Sequence, residues 1–135
     1  MADNSGRTDL SVGDAAETGV EITEYIAGAA ITKGNPVYLT ADMTVSPAAA
    51  AQPCVGIALK TVASGAMVPV CRRGPVKVTA GGAITRGASV IGADSSNRVV
   101  ANTYAADINM VNNNLGYCLT AAGAAGDLIL IMVTK

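Results

Sequence analysis

Residues 26–37 read IAGAAITKGNPV and residues 79–90 read TAGGAITRGASV. Seven of these twelve columns are identical, and an eighth exchanges Lys33 for Arg86. Short matches arise by chance in an Ala/Gly-rich chain, so the test is whether the register continues outside them. It does. Upstream, Thr23-Glu24-Tyr25 falls on Val76-Lys77-Val78, and downstream VYLTAD (37–42) falls on VIGAD (90–94). VGIAL (55–59) matches LGYCL (115–119), with Gly56 on Gly116. SGAMVPV (64–70) matches AGDLILI (125–131), with Gly65 on Gly126. Residues about 19–73 and about 74–135 therefore read as two copies of one strand-rich unit. The linker SPAAAAQP (46–53) of the first corresponds to a longer Asn-rich insert in the second.

One such unit has an apolar face that it cannot bury alone. Two copies closing over each other bury both faces, which predicts a small β-barrel or sandwich. The local pattern agrees. VEITEY (20–25) alternates Val20, Ile22 and Glu24 with Glu21, Thr23 and Tyr25 on the other face. PVYLT (36–40) and TVS (44–46) flank Ala41-Asp42-Met43 as a hairpin. CVGIALK (54–60) and MVPVCR (67–72) flank a turn at Ser64-Gly65. Pro69 predicts an edge position or a bulge, because it has no N–H for a sheet ladder. Gly74 reads as a turn before PVKVT (75–79), which makes CRRGPVK (71–77) an exposed hairpin tip. ASVI (88–91) and RVVA (98–101) form a second hairpin through Asp94–Asn97, where Asn97 suits positive φ. LGYCL and DLILIMVT (127–134) close the chain, and NTYAADINMVNNN (102–114) is the one segment that reads as helical or irregular. The expected class is all-β with roughly ten short strands, in a single domain over residues 19–135.

Residues 1–18 differ. They are polar, rich in Gly, Ser, Thr and Asp, with Leu10 and Val12 as isolated apolar anchors. They read as an extended N-terminal arm that is ordered where something holds it. The segment does not have the pattern of a signal peptide, and no run approaches the length of a membrane helix. Charge divides along the same line. Residues 1–24 carry Asp3, Asp9, Asp14, Glu17, Glu21 and Glu24 against Arg7, about −5. The rest carries eight bases against four acids, about +4. An acidic head on a basic body suits a contact between the two, within one copy or between neighbouring copies.

The composition disfavours an enzyme. There is no His, hence no imidazole base and no His metal ligand. Cys54, Cys71 and Cys118 lack zinc spacing and sit in apolar settings, which predicts buried reduced thiols. The Gly-rich loops lack the Gly-Lys-Ser/Thr ending of a phosphate cradle. Asp42 and Asp94 hold equivalent repeat positions and read as turn residues. Neither of the hairpin tips Ala41–Met43 and Asp94–Asn97 carries the lysine that a lipoate or biotin carrier would need. CRRGPVK is the densest basic patch, but no aromatic residues interleave it as stacking platforms for nucleic acid. The expectation is no catalytic residue, no cofactor, no metal and no nucleic-acid, membrane or small-molecule partner.

Several short motifs, in order, carry a resemblance. They are Val55-Gly56-Ile57-Ala58, Gly74-Pro75-Val76, the Gly-rich Ala83–Gly87, Asn97-Arg98-Val99 and Ala125-Gly126-Asp127 before a final apolar strand. Over roughly residues 30–135 the chain resembles the capsid cement, or head decoration, proteins of tailed double-stranded DNA phages. Two features depart from that pattern: Ala88 follows Gly87 where the family often has an acid, and the arm is longer and more acidic. The resemblance implies a structural protein on the exterior of the assembled phage head, made in the host cytoplasm. Its partners would be the major capsid protein and itself, as a homotrimer or a dimer. The residues expected to meet the capsid or a neighbour are Arg7, Asp9, Leu10 and Val12 of the arm, with Arg72 and Arg73. The competing expectation is a phage tail or baseplate accessory domain or a carbohydrate-binding β module. The sugar reading is disfavoured because Tyr25, Tyr38, Tyr104 and Tyr117 are the only aromatics.

Overall fold

The computed structural model describes residues 12–13, 20–50, 52–92, 94–102 and 113–135. It is all-β among these residues, with nine strands: β1 (Glu21–Ala27), β2 (Pro36–Ala41), β3 (Thr44–Pro47), β4 (Cys54–Ala58), β5 (Met67–Thr79), β6 (Ser89–Gly92), β7 (Val99–Ala101), β8 (Asn114–Cys118) and β9 (Leu128–Thr134). The sheet order is β1-β3-β2-β4-β5-β9-β8-β6-β7, and β1 also pairs with β5. That extra pairing closes β1, β3, β2, β4 and β5 into a five-stranded barrel, with β1 and β3 parallel and the other pairs antiparallel.

The remaining strands repeat the plan. β5 pairs with β9, β9 with β8, β8 with β6 and β6 with β7. β7 returns to the end of β5 through a parallel bridge from Val99 to Ala80. The two halves share hydrogen bonds residue for residue. Gly28 N–H donates to Val45 O at 2.8 Å, and Gly81 N–H to Val99 O at 2.7 Å. Gly34 N–H donates to Ala58 O, and Gly87 N–H to Cys118 O, both at 2.8 Å. Ile31 and Val62 bridge in one half, Ile84 and Ala122 in the other. The ITKG and ITRG segments are thus the same turn, closed by Asn35 N–H to Thr32 O and Ala88 N–H to Thr85 O, both 3.0 Å.

Each half fills its own interior. Tyr25, Ala27, Ile31, Val37, Val45, Ala58, Val68 and Val70 form one cluster. A larger one joins Val76, Val78, Ile84, Val90, Val99, Leu115, Ile129, Ile131 and Val133 to Ala48, Cys54 and Ile57 of the first half. Without Phe or Trp these aliphatic side chains carry the core, each worth about 1.5–3 kcal/mol when fully buried. No polar or charged residue is buried among the described residues.

Three local expectations are corrected. Gly74 does not end a strand: β5 runs unbroken for 13 residues and serves both halves, with Gly74 at φ 128. Arg72 and Arg73 therefore sit mid-strand, not on a hairpin tip. Pro69 is neither at an edge nor at a bulge, since β5 lies between β1 and β4 there. Pro69 faces Glu24 on β1, and its carbonyl accepts from Leu59 N–H at 2.9 Å on the β4 side. Ile26, in phase with Glu24, turns its N–H away from β5 to the Met43 carbonyl at 2.7 Å. Toward β1 the Glu24–Pro69 pair is thus a non-hydrogen-bonded one, where a missing N–H removes nothing. Toward β4 the missing N–H falls opposite Leu59, just past the end of that strand at Ala58. In β1 the buried phase is Tyr25 and Ala27, while Ile22 and Ile26 face outward. Of the 102–114 segment, residues 103–112 lie outside the described residues, and β8 begins at Asn114.

The second hairpin turns as expected at Asn97, with φ 61. Its side-chain amide donates to Ala48 O at 2.7 Å and ties the tip to the first half. Asp94 organises the same turn. Its carboxylate accepts from Ser96 and Arg98 N–H at 2.9 and 3.0 Å, and pairs with the Arg98 guanidinium at 2.7 Å. Burial raises the Asp94 carboxyl, but these bonds outweigh it and leave it below the usual carboxylate range.

Candidate functional site

Among the described residues no group of three or more His, Cys, Asp or Glu side chains comes together to hold a metal. The three cysteines are free and buried. Burial pushes Cys54 up to about 12, against the opposing influence of Lys135 and of its own bond to the Gly92 carbonyl. Burial raises Cys71 and Cys118 as well. These thiols are poor nucleophiles at neutral pH. The sign for stability follows. A thiol raised on folding contributes fully below its unfolded value, about 8.5. That contribution is lost as pH rises toward the folded value, about 12 for Cys54. Expected outcomes are slow thiol labelling of the native protein, with three thiols released on denaturation. The alkaline loss of stability should be shallower in Cys54→Ala than in the wild type. Equal alkaline slopes would contradict the assignment.

The surface offers apolar contact. Among the described residues seven large apolar side chains are exposed, five of them in the first half: Ile22, Ile26, Leu39, Met43 and Met67. Ile26 pairs with Met67 across β1 and β5, and its N–H reaches the Met43 carbonyl. These three form one apolar edge of the first barrel. Sequence reasoning missed it. The signal was present, because the outward phase of β1 carries Ile22 and Ile26 where a solvated face would be polar. In the second half the same positions hold Thr79 and Leu128.

The sequence-predicted contact residues separate. Arg7, Asp9 and Leu10 lie outside the described residues. Arg73 is exposed on β5. Arg72 pairs with Glu21 of β1 at 3.1 Å, a solvent-exposed ion pair of small energetic weight. Val12 sits on the Lys33-Gly34 turn. A Cβ at Gly34 would collide with the Val12 side chain, and a Cβ at Gly13 with Lys33 and Gly34. Gly13 N–H donates to Lys77 O at 2.6 Å, on β5. Lys33 and Lys77 therefore flank the place where Val12 and Gly13 meet the strands.

A family model for phage cement proteins matches residues 44–133, about two thirds of the chain. The chain belongs to the phage cement protein family. No curated protein sequence matches it. Among solved structures, the N base of the head fiber gp8.5 of bacteriophage phi29 is similar, with a TM-score of 0.61. The match covers 85% of this chain and 94% of that one at 18% identity, which establishes likeness of fold.

Proposed function

We propose that this protein is a capsid decoration protein that binds the outside of an assembled phage head and holds neighbouring major capsid subunits together. The observation that carries the reading is the cement family match across β3 to β9. The physical design suits it. A closed five-stranded barrel and a second half on the same plan share β5 and have aliphatic cores, and the acidic N-terminal arm of residues 1–18 supplies reach. Beyond the Val12-Gly13 contact, its residues 1–11 would span roughly 35–40 Å if fully extended. It can add as a strand to an open sheet edge of a capsid subunit. The body of residues 19–135 acts as the second part, with exposed Arg73, the Arg72–Glu21 ion pair beside it and the Ile26–Met67 edge facing a neighbour. Assembly as a homotrimer would place several arms on one shell, so modest single contacts add up through avidity. The role is structural and needs no catalytic group.

The test is direct. Heads lacking the protein are mixed with purified protein, pelleted and imaged. Co-pelleting, with added density on the outer surface between capsid subunits, is the expected result. Failure to pellet with intact heads would overturn the proposal.

A further inference from the structure

The internal repeat relates more than two turns. β1 pairs with the first part of β5, and β9 with the second part. Lys135 N–H, just past β9, donates to Arg72 O at 3.1 Å, while β1 begins opposite Arg73. β9 and β1 thus lie end to end along one edge of β5, with β4 on the other. The operation that carries β1 onto the second part of β5 also carries the first part of β5 onto β9. This is a local twofold near Arg73-Gly74. It exchanges Gly34 with Gly87, Lys33 with Arg86, and Lys77 with Glu24.

One of the two places so related is filled. Val12 and Gly13 occupy the Gly34 turn and bond to Lys77 O, leaving Gly34 buried and Lys33 half-buried. The other is open among the described residues. Gly87 has the same left-handed backbone, φ 84 against 95, yet nothing lies within 4 Å of where its Cβ would stand. Gly87 and Arg86 are both exposed. Glu24, facing Pro69, aims its carbonyl away from β5 in phase with Ile26, as Lys77 aims its own at Gly13.

We infer that the Arg86-Gly87 turn and the Glu24 edge of β1 form a second seat for an extended segment, and that its occupant is a strand or loop of the major capsid protein. The inference rests on the decoration reading and names the contact surface for it. Two arguments select the occupant. Each copy has one arm and two seats, so in any assembly of copies one seat per chain remains after every arm is placed. The charges also differ. Lys33 and Lys77 flank the filled seat and suit an arm bearing Asp9, Asp14 and Glu17. Glu24, exposed on β1, repels that arm from the open seat. The open seat instead favours a segment that brings a base toward Glu24 and an acid toward Arg86.

The test uses the full chain and heads assembled from the capsid protein encoded with it. Arg86→Glu reverses an exposed charge. Gly87→Asn fills the seat with a residue that tolerates positive φ. Lys60→Glu is the control reversal. With melting midpoints preserved, Arg86→Glu and Gly87→Asn should each weaken head binding about tenfold or more, and Lys60→Glu should not. A benzophenone attached through Thr85→Cys labels selectively, because the native cysteines are buried. On irradiation it should join the capsid protein. Wild-type binding by both seat variants would overturn the seat while leaving the decoration reading intact. A crosslink to a second copy of this chain would overturn the capsid as occupant. Wild-type protein that fails to bind heads would overturn the seat together with the reading beneath it.

Discussion

Gly116→Ala is expected to destabilise the protein by about 3 kcal/mol or more, a large share of the roughly 5–15 kcal/mol that holds a domain folded. β8 crosses so close to β9 that a Cβ at Gly116 would run into the Met132 carbonyl. The obstacle is backbone, which cannot rotate aside as a side chain can. Gly56 holds the equivalent place on β4, where a Cβ would meet the Cys71 carbonyl. Both are strand pairings that close a barrel, so widening them opens the ring and its aliphatic core. Gly56→Ala should behave alike. Gly82→Ala is the control, since a Cβ there meets nothing within 4 Å. It should change stability little, or raise it slightly by restricting the unfolded chain. Chemical denaturation of the three variants checks this, and a Gly116→Ala protein as stable as Gly82→Ala would refute the close approach.

Deletion of residues 2–18 is expected to abolish or sharply weaken binding to phage heads while leaving the β body folded. The arm's described contact with the body is small: Val12 on Gly34, and one backbone bond from Gly13 to Lys77. Losing it should cost about 1–2 kcal/mol, well short of unfolding the domain. Binding is different, because each arm removed takes one attachment from a multivalent contact. Pelleting of heads with the truncated protein, alongside its melting curve, separates the two effects. Undiminished binding by a folded truncated protein would show that the arm is not the anchor.

Much of the fold was legible in the chain because the repeat is written in turn chemistry. Ile-Thr-(Lys/Arg)-Gly needs a positive-φ residue at one fixed place, and its two glycines take φ 95 and 84. Asn97 was legible for the same reason. The strand at Met67–Thr79 was not. Gly74 and Pro69 both read as interruptions, yet a glycine at φ 128 can bend a strand without ending it. A proline facing a non-hydrogen-bonded partner likewise leaves the ladder with that partner whole. Which partner faces it is fixed by β1, 45 residues upstream at Glu24.

The candidate surface was less legible than the fold. Arg72 and Arg73 stood out as a charge cluster, but Arg72 is already engaged with Glu21. The outward Ile26–Met67 pair joins residues far apart in sequence, and only the register of β1 on β5 brings them together. Lys33 and Arg86 look interchangeable in the repeat, yet one is half-covered by the arm and the other is exposed.

By itself the sequence determined the duplicated unit, its turns, the all-β class and the acidic character of the N-terminal stretch. Those follow from period-two alternation and from residues with special backbone preferences, which act over a few neighbours. The tertiary structure decided that one strand serves both halves, which phase of β1 faces the core, and which of two equivalent turns the arm covers. Those depend on pairings between distant segments, where burial and hydrogen-bond phase are set by the partner strand and not by the residue's own neighbours.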